Sequence, residues 1–209
     1  MIKLDLSSFL AEIWYIDWSH PVITQKAQQL FYKIYNPVEK AKIAFEYVRD
    51  KIKHSFDTNH ITIEHIPLSA SEVYKYGYGI CHTKANLLAA LLRSQKIPAG
   101  FCYQHVTLND NDDSNGYILH CFNAVYLENQ WIKLDARGNK PGINAQFSLN
   151  EPHLAFQNRK EYDEYFFNGI YSKPDKATMD LLRASKTLKE FIFNKPPEKP
   201  FGLPDIDEN

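Results

Sequence analysis

At Pro98 the spacing of the apolar residues changes period, and that change divides the chain into a helical first half and a stranded second. Upstream, apolar side chains recur at steps of three and four; downstream, the runs GFCYQHVTL, YILHCFNAVYL and QWIKLDA are aromatic and β-branched, as antiparallel strands require. The first helix is expected between Pro21 and Ile34, through Val22, Ala27, Leu30 and Phe31, with Pro21 where a first turn tolerates it. Asn36, Pro37 and Glu39 form an N-cap with a capping-box partner, and Ala41, Phe45, Val48 and Ile52 carry the second helix. Ser69 and Glu72 repeat the capping-box spacing, and Gly77 and Gly79 end the helix they start. A further helix begins at about Cys81. In ICHTKANLLAALLRSQK the stripe Ala85, Leu88, Leu92 is widened by Leu87, Ala89, Ala90 and Leu91, so this helix is the buried one.

Among the strands, Asn109 to Gly116 reads as a polar loop and Glu128–Asn129 as the turn of a tight hairpin. From Ala136 to about Gly169 the pattern is weak and reads as mostly loop with local helix. Lys173 to Phe193 regains helical spacing through Ala177, Leu181, Ala184, Leu188 and Phe191, with a solvated basic face, and the Pro-rich tail from Pro196 is extended or disordered. The expected organisation is an N-terminal helical segment over 1–36, a core over 37–150, a C-terminal helical extension over 151–195 and an acidic tail over 196–209.

Composition removes several function classes. With 24 basic against 25 acidic residues the chain lacks the positive excess that phosphate neutralisation needs, so nucleic acid is not an expected partner. No stretch reaches the roughly 18 uncharged apolar residues of a membrane span. Asp5, Glu12 and Asp17 interrupt the apolar N-terminus, which does not read as a signal peptide. The three cysteines, Cys81, Cys102 and Cys121, show no CxxC spacing, so neither a disulfide framework nor a structural zinc site is expected, and the reducing cytoplasm is the simplest compartment.

Cys81 alone stands at a helix start, after the flexible GYGI loop, where free backbone N–H groups and the helix dipole favour a thiolate. The dipole is worth roughly 0.3–2 kcal/mol, too little to ionise a thiol of pKa about 8.5 fully, so an imidazole is needed. The small Gly79 would let a substrate carbonyl approach, with the Cys81 N–H as one oxyanion donor. Of eight histidines, strand geometry selects His120: if Glu128 and Asn129 make a two-residue turn, Phe122 faces Asp135, and His120 and Asp135 become diagonal neighbours on one sheet face. Such a carboxylate holds the imidazole tautomer and stabilises the imidazolium.

The runs ASEVYKYGYGICHTKANLLAALLRSQKIPAGFCYQ and LHCFNAVYLENQWIKLDARGNK resemble the core of the transglutaminase-like superfamily, in its bacterial cysteine-protease-like branch, over roughly Pro37 to Leu149. The resemblance includes the order Cys, His, Asp with a Trp before the acid. It implies a papain-like α+β fold with the nucleophile helix packed on an antiparallel sheet. It also implies Cys81 as nucleophile, His120 as general base and acid, and Asp135 as the orienting carboxylate, with no metal or organic cofactor. Related enzymes supply a second oxyanion donor from upstream of the nucleophile. No Gln lies between Gln29 and Cys81, which leaves Tyr76, Tyr78 and His54 as candidates.

Cys102 and Cys121 read as inert core thiols. His82, one step along the helix and about 100° away from Cys81, is not expected to bond it directly and stands as a substrate-contact candidate. Trp131 packs the sheet and is a candidate shield for the triad; Arg137, opposite His120, suits a salt link at the site rim. The expected activity is cysteine-dependent hydrolysis of amide bonds through a thioester acyl-enzyme, as a peptidase or amidase on a peptide, protein or small amide. The alternatives are transglutaminase-type transfer to an amine and a catalytically inactive peptide-binding module of the same fold. Iodoacetamide separates the last of these, since a His-activated Cys81 reacts below the pH that ordinary thiols need.

Overall fold

The computed structural model describes residues 5–109 and 112–208. Each early helix starts where its capping residues put it. Helix α1, Pro21–Leu30, has Pro at its first turn, and α2, Pro37–Lys51, is capped by Asn36 Oδ1, which accepts from the N–H groups of Val38 (2.8 Å) and Glu39 (3.1 Å). The face Ala41, Phe45, Val48, together with Ile52 just beyond, is buried. A two-residue strand β1, Lys53–His54, follows. Helix α3, Ala70–Tyr76, carries the full Ser69/Glu72 capping box and ends on Gly77 at φ 74°, a left-handed conformation that costs a glycine nothing. Strand β2, Tyr78–Gly79, pairs in parallel with β1, placing His54 opposite Gly79 two residues before Cys81.

Helix α4, Cys81–Arg93, is buried from His82 to Arg93. It packs between the N-terminal helices and the sheet, and each of Leu87, Leu88, Leu91 and Leu92 is removed from water, worth about 1.5–3 kcal/mol apiece. The sheet has the order β5-β4-β3-β6, formed by β3 (Ala99–Asn109), β4 (Asp112–Leu127), β5 (Gln130–Leu134) and β6 (Tyr165–Phe166). This is the antiparallel, helix-backed α+β architecture that the resemblance implies. Glu128 (φ 49°) and Asn129 (φ 63°) both lie in the left-handed region, the signature of a type I′ turn, and Leu127 pairs with Gln130 as that turn dictates.

Three expectations are corrected. The loop expected over Asn109–Gly116 is instead the tip of a long β3–β4 hairpin, already strand from Asp112; positions 110 and 111 of that loop, like 1–4 of the N-terminal segment and 209 of the tail, lie outside the described residues. The single helix expected from Lys173 to Phe193 is two, α5 (Lys176–Ala184) and α6 (Leu188–Phe193), because Thr187 caps α6 through the N–H of Glu190 while the Glu190 carboxylate accepts from the N–H of Lys186. The loop region contributes β6, whose two residues pair with Gln104 and His105. The tail runs extended: Pro197 O accepts from Leu119 N–H at 3.0 Å, and Ile206 bridges Ile170. Among the described residues no helix is long and apolar enough to cross a membrane.

Candidate active site

The first turn of α4 has no side-chain cap of its own N–H groups; Ile80 cannot supply one, and the Thr83 hydroxyl accepts from Ile80 N–H at 3.1 Å instead. The backbone N–H of Cys81, the first helical residue, therefore has no intrahelical acceptor. Gly79 is needed for packing: a side chain there would collide with the Thr83 hydroxyl. Cys81 opens into a cavity of about 330 Å³ that His54, His82 and His120 share. Its lining includes Val106 and Ile118 of the β3–β4 hairpin, the aromatic Phe56 and Phe156, and the charged Asp57, Arg137 and Lys140.

The hairpin register brings His120 and Asp135 together. Pairing runs from Leu127↔Gln130 to Asn123↔Leu134, and Asp135 follows directly. His120 Nε2 lies 2.8 Å from Asp135 Oδ2, with both side chains almost wholly buried. The same carboxylate accepts from the N–H groups of Ala155 (2.9 Å) and Arg137 (3.1 Å), so its lone pairs are engaged on both oxygens. Burial alone would raise the Asp135 pKa, but the His120 charge and these hydrogen bonds hold it below the ordinary carboxylate range. Phe156 stands edge-on to the His120 ring at 4.9 Å. With Nε2 committed to Asp135, Nδ1 is the nitrogen left for sulfur.

Burial would also push the Cys81 thiol up. The charge of His82 and the closeness of the His120, His54 and His82 imidazoles outweigh it and hold the thiol well below its usual value. Burial disfavours a charged His120, yet the Asp135 carboxylate and the Cys81 sulfur raise its pKa to about 10. Each group thereby favours the charged form of the other. His54 behaves oppositely: burial, reinforced by the charges of Arg137 and Lys84, lowers it to about 4 against the pull of Cys81, so its ring is neutral.

The sulfur of Cys81 lies 3.3 Å from His82 Nδ1, contrary to the expectation from helical projection. A first-turn residue has no preceding turn to restrict its rotamer, so its side chain can swing toward its neighbour. Of the other candidates, Tyr78 stacks on His60 at 4.2 Å with its hydroxyl donating to His65 O, and Tyr76 is half-exposed. Trp131 packs on Phe9 and Tyr126, away from the cavity. The salt link expected of Arg137 goes to Asp57, through both guanidinium nitrogens, and Lys140 adds a 3.0 Å contact to the same carboxylate. Asp57 and Phe156 carry no local sequence signal; long-range folding alone brings them in.

The model of the transglutaminase-like superfamily matches residues 24–136, more than half of the chain. The chain belongs to the transglutaminase-like superfamily. The matched stretch holds Cys81, His120 and Asp135. A solved candidate cysteine protease of Cytophaga hutchinsonii shares 23% identity over 65% of this superfamily member and 44% of its own length, with a TM-score of 0.51. A candidate protease of Parabacteroides distasonis shares 18% identity over 61% of the chain and 24% of its own, at a TM-score of 0.39. This chain thus spans less than half the length of either solved structure. No curated protein matches it.

Proposed function

We propose that this chain is a cysteine-dependent hydrolase that cleaves amide bonds through a thioester on Cys81. The carrying observation is the continuity of the relay: a thiol held well below its ordinary pKa, an imidazole raised to about 10, and a buried carboxylate 2.8 Å from that imidazole. The Cys81 thiolate attacks the carbonyl carbon, and the carbonyl electron pair moves to oxygen. The tetrahedral intermediate collapses, re-forming the C=O bond and expelling the amine, which takes the proton from His120 Nδ1. Neutral His120 then deprotonates water, which attacks the thioester and releases the acid. The substrate is a peptide, a protein or a small amide, and the residues carry the reaction without a metal or organic cofactor.

Iodoacetamide at pH 5.5, followed by peptide mapping, tests the reading. Cys81 is expected to be alkylated at least about a hundredfold faster than a free thiol of pKa near 8.5, which is only about 0.1% ionised at that pH. Cys81→Ala is expected to abolish hydrolysis of any amide the wild type cleaves. Labelling of Cys102 in preference to Cys81, or retained activity in Cys81→Ala, would overturn it.

A further inference from the structure

His54 is an imidazole the relay leaves unused. It is only 7% exposed, it lines the cavity beside Cys81, and neither ring nitrogen has a hydrogen-bond partner that satisfies normal geometry. An idle polar side chain this deeply buried is costly unless a ligand or transition state supplies the partner. Its backbone is fixed from two sides. The β1–β2 bridge sets it opposite Gly79, and the buried ammonium of Lys84 donates to the carbonyl of Ile52, two residues upstream. Asp57 Oδ2 stands 3.9 Å from His54 Nδ1, beyond hydrogen-bond reach, and is itself bound by Arg137 and Lys140.

The geometry points to His54 as a catalytic residue: its neutral N–H, together with the backbone N–H of Cys81, forms the oxyanion hole of the acyl-transfer reaction. The inference rests on the hydrolase reading. A neutral imidazole facing a thiolate turns its N–H to the sulfur, since its lone pair would be repelled. When the sulfur bonds to the carbonyl carbon, the negative charge moves from sulfur to the carbonyl oxygen, and a donor already aimed at that charge follows it with little reorganisation. The two histidines thereby divide the work. His120, charged and tied to Asp135, moves protons; His54, uncharged, keeps its proton and stabilises the oxygen while the C=O bond is open. Tyr76 and Tyr78, the other upstream candidates, do not line the cavity.

Two small neutral probes of the same sulfur separate this role from activation of the thiol. Iodoacetamide reacts by displacement at carbon and develops no oxyanion, whereas p-nitrophenyl acetate acylates Cys81 through one. Acylation is measured as nitrophenolate release per Cys81 site titrated by iodoacetamide, so that a poorly folding variant still yields a rate per folded site. His54→Leu is expected to lose about 10²–10³-fold in acylation while alkylation at pH 6 stays within about threefold. His54→Gln, which restores an N–H donor, is expected to recover to within about tenfold of the wild type. Parallel loss of both reactions in His54→Leu would make His54 a thiolate-holding group, and unchanged acylation would leave it no chemical role; either overturns the inference. So does wild-type acylation no faster than that of a free thiolate. A wild-type Cys81 that resists iodoacetamide at acidic pH would instead overturn the hydrolase reading.

Discussion

Cys102 and Cys121 are buried, away from the imidazoles that surround the half-buried Cys81, and the three thiols diverge as that difference requires. Burial pushes Cys102 up to about 12 and Cys121 well above its ordinary value, so neither is nucleophilic at neutral pH. Across pH 6–9 the alkylation rate of Cys81 is expected to stay nearly flat, since its thiol is held well below the usual value, and to change first as His120 loses its proton near 10. Asp135→Asn removes the charge that raises His120. The expected result is a fall of about 10²–10⁴ in hydrolysis, with a flat alkylation profile becoming one that climbs with pH. His54 adds a stability signature of its own. Its folded pKa, about 4, lies below the ordinary 6.5, so the unfolded chain binds more protons between those values, and stability present above pH 6.5 is lost as pH falls through 4. Urea unfolding at pH 7, 5.5 and 4.5 should show His54→Gln losing less than the wild type, by about 1.4 kcal/mol per pH unit at most. Parallel lines for the two proteins would refute the neutral His54.

At the scale of elements, the segments legible in the sequence are those whose ends carry chemistry of their own. Asn36–Pro37 and Ser69/Glu72 start α2 and α3 because the cap side chains satisfy N–H groups locally, and Glu128–Asn129 fixes the register that brings His120 to Asp135. Thr187 and Glu190 carry the same kind of signal. The apolar series Leu181, Ala184, Leu188, Phe191 masks it by continuing one helical period across the break, although α5 buries Thr178, Met179 and Leu182 and leaves Ala184 exposed. Strand β6 offers no period in two residues and exists because β3 has a free edge there. Helical projection misplaces the His82 ring because it treats the first turn as an interior one. The type I′ turn also holds a correctable strain: Glu128 occupies a left-handed conformation that suits Asn or Gly far better. Glu128→Asn combined with Asn129→Gly should stabilise the protein by about 1 kcal/mol in thermal unfolding and leave Cys81 alkylation unchanged. A change in alkylation would mean that the register had slipped.

Over the whole molecule, helix α4 is fastened at both ends, and its far end joins segments distant in the chain. Arg93, 2% exposed, donates to the carbonyls of Ala11 (2.6 Å), Ala99 (2.7 and 3.1 Å) and Ser172 (2.6 Å). It thereby ties the N-terminal segment, the start of β3 and the approach to α5 to one guanidinium, a planar fork no lysine can imitate. Burial lowers its pKa to about 10 against the pull of Asp205, which leaves it charged at neutral pH. The near end is held separately, by Thr83 on Ile80, by Lys84 on Ile52 and by Asn86 on Leu68 O at 3.0 Å. Arg93→Met should therefore act on cohesion and spare the chemistry. Leaving the buried carbonyls of Ala99 and Ser172 without their donor costs about 1 kcal/mol or more each, and with the part-buried contact to Ala11 lost as well the expected loss is about 2–3 kcal/mol in urea unfolding. Hydrogen exchange should rise together around Ala11, Ala99 and Ser172, while alkylation of Cys81 per folded molecule at pH 5.5 keeps its wild-type rate. Exchange rising in the N-terminal segment alone would show that Arg93 anchors only that segment, and a slower Cys81 would show that the two ends of α4 are mechanically coupled.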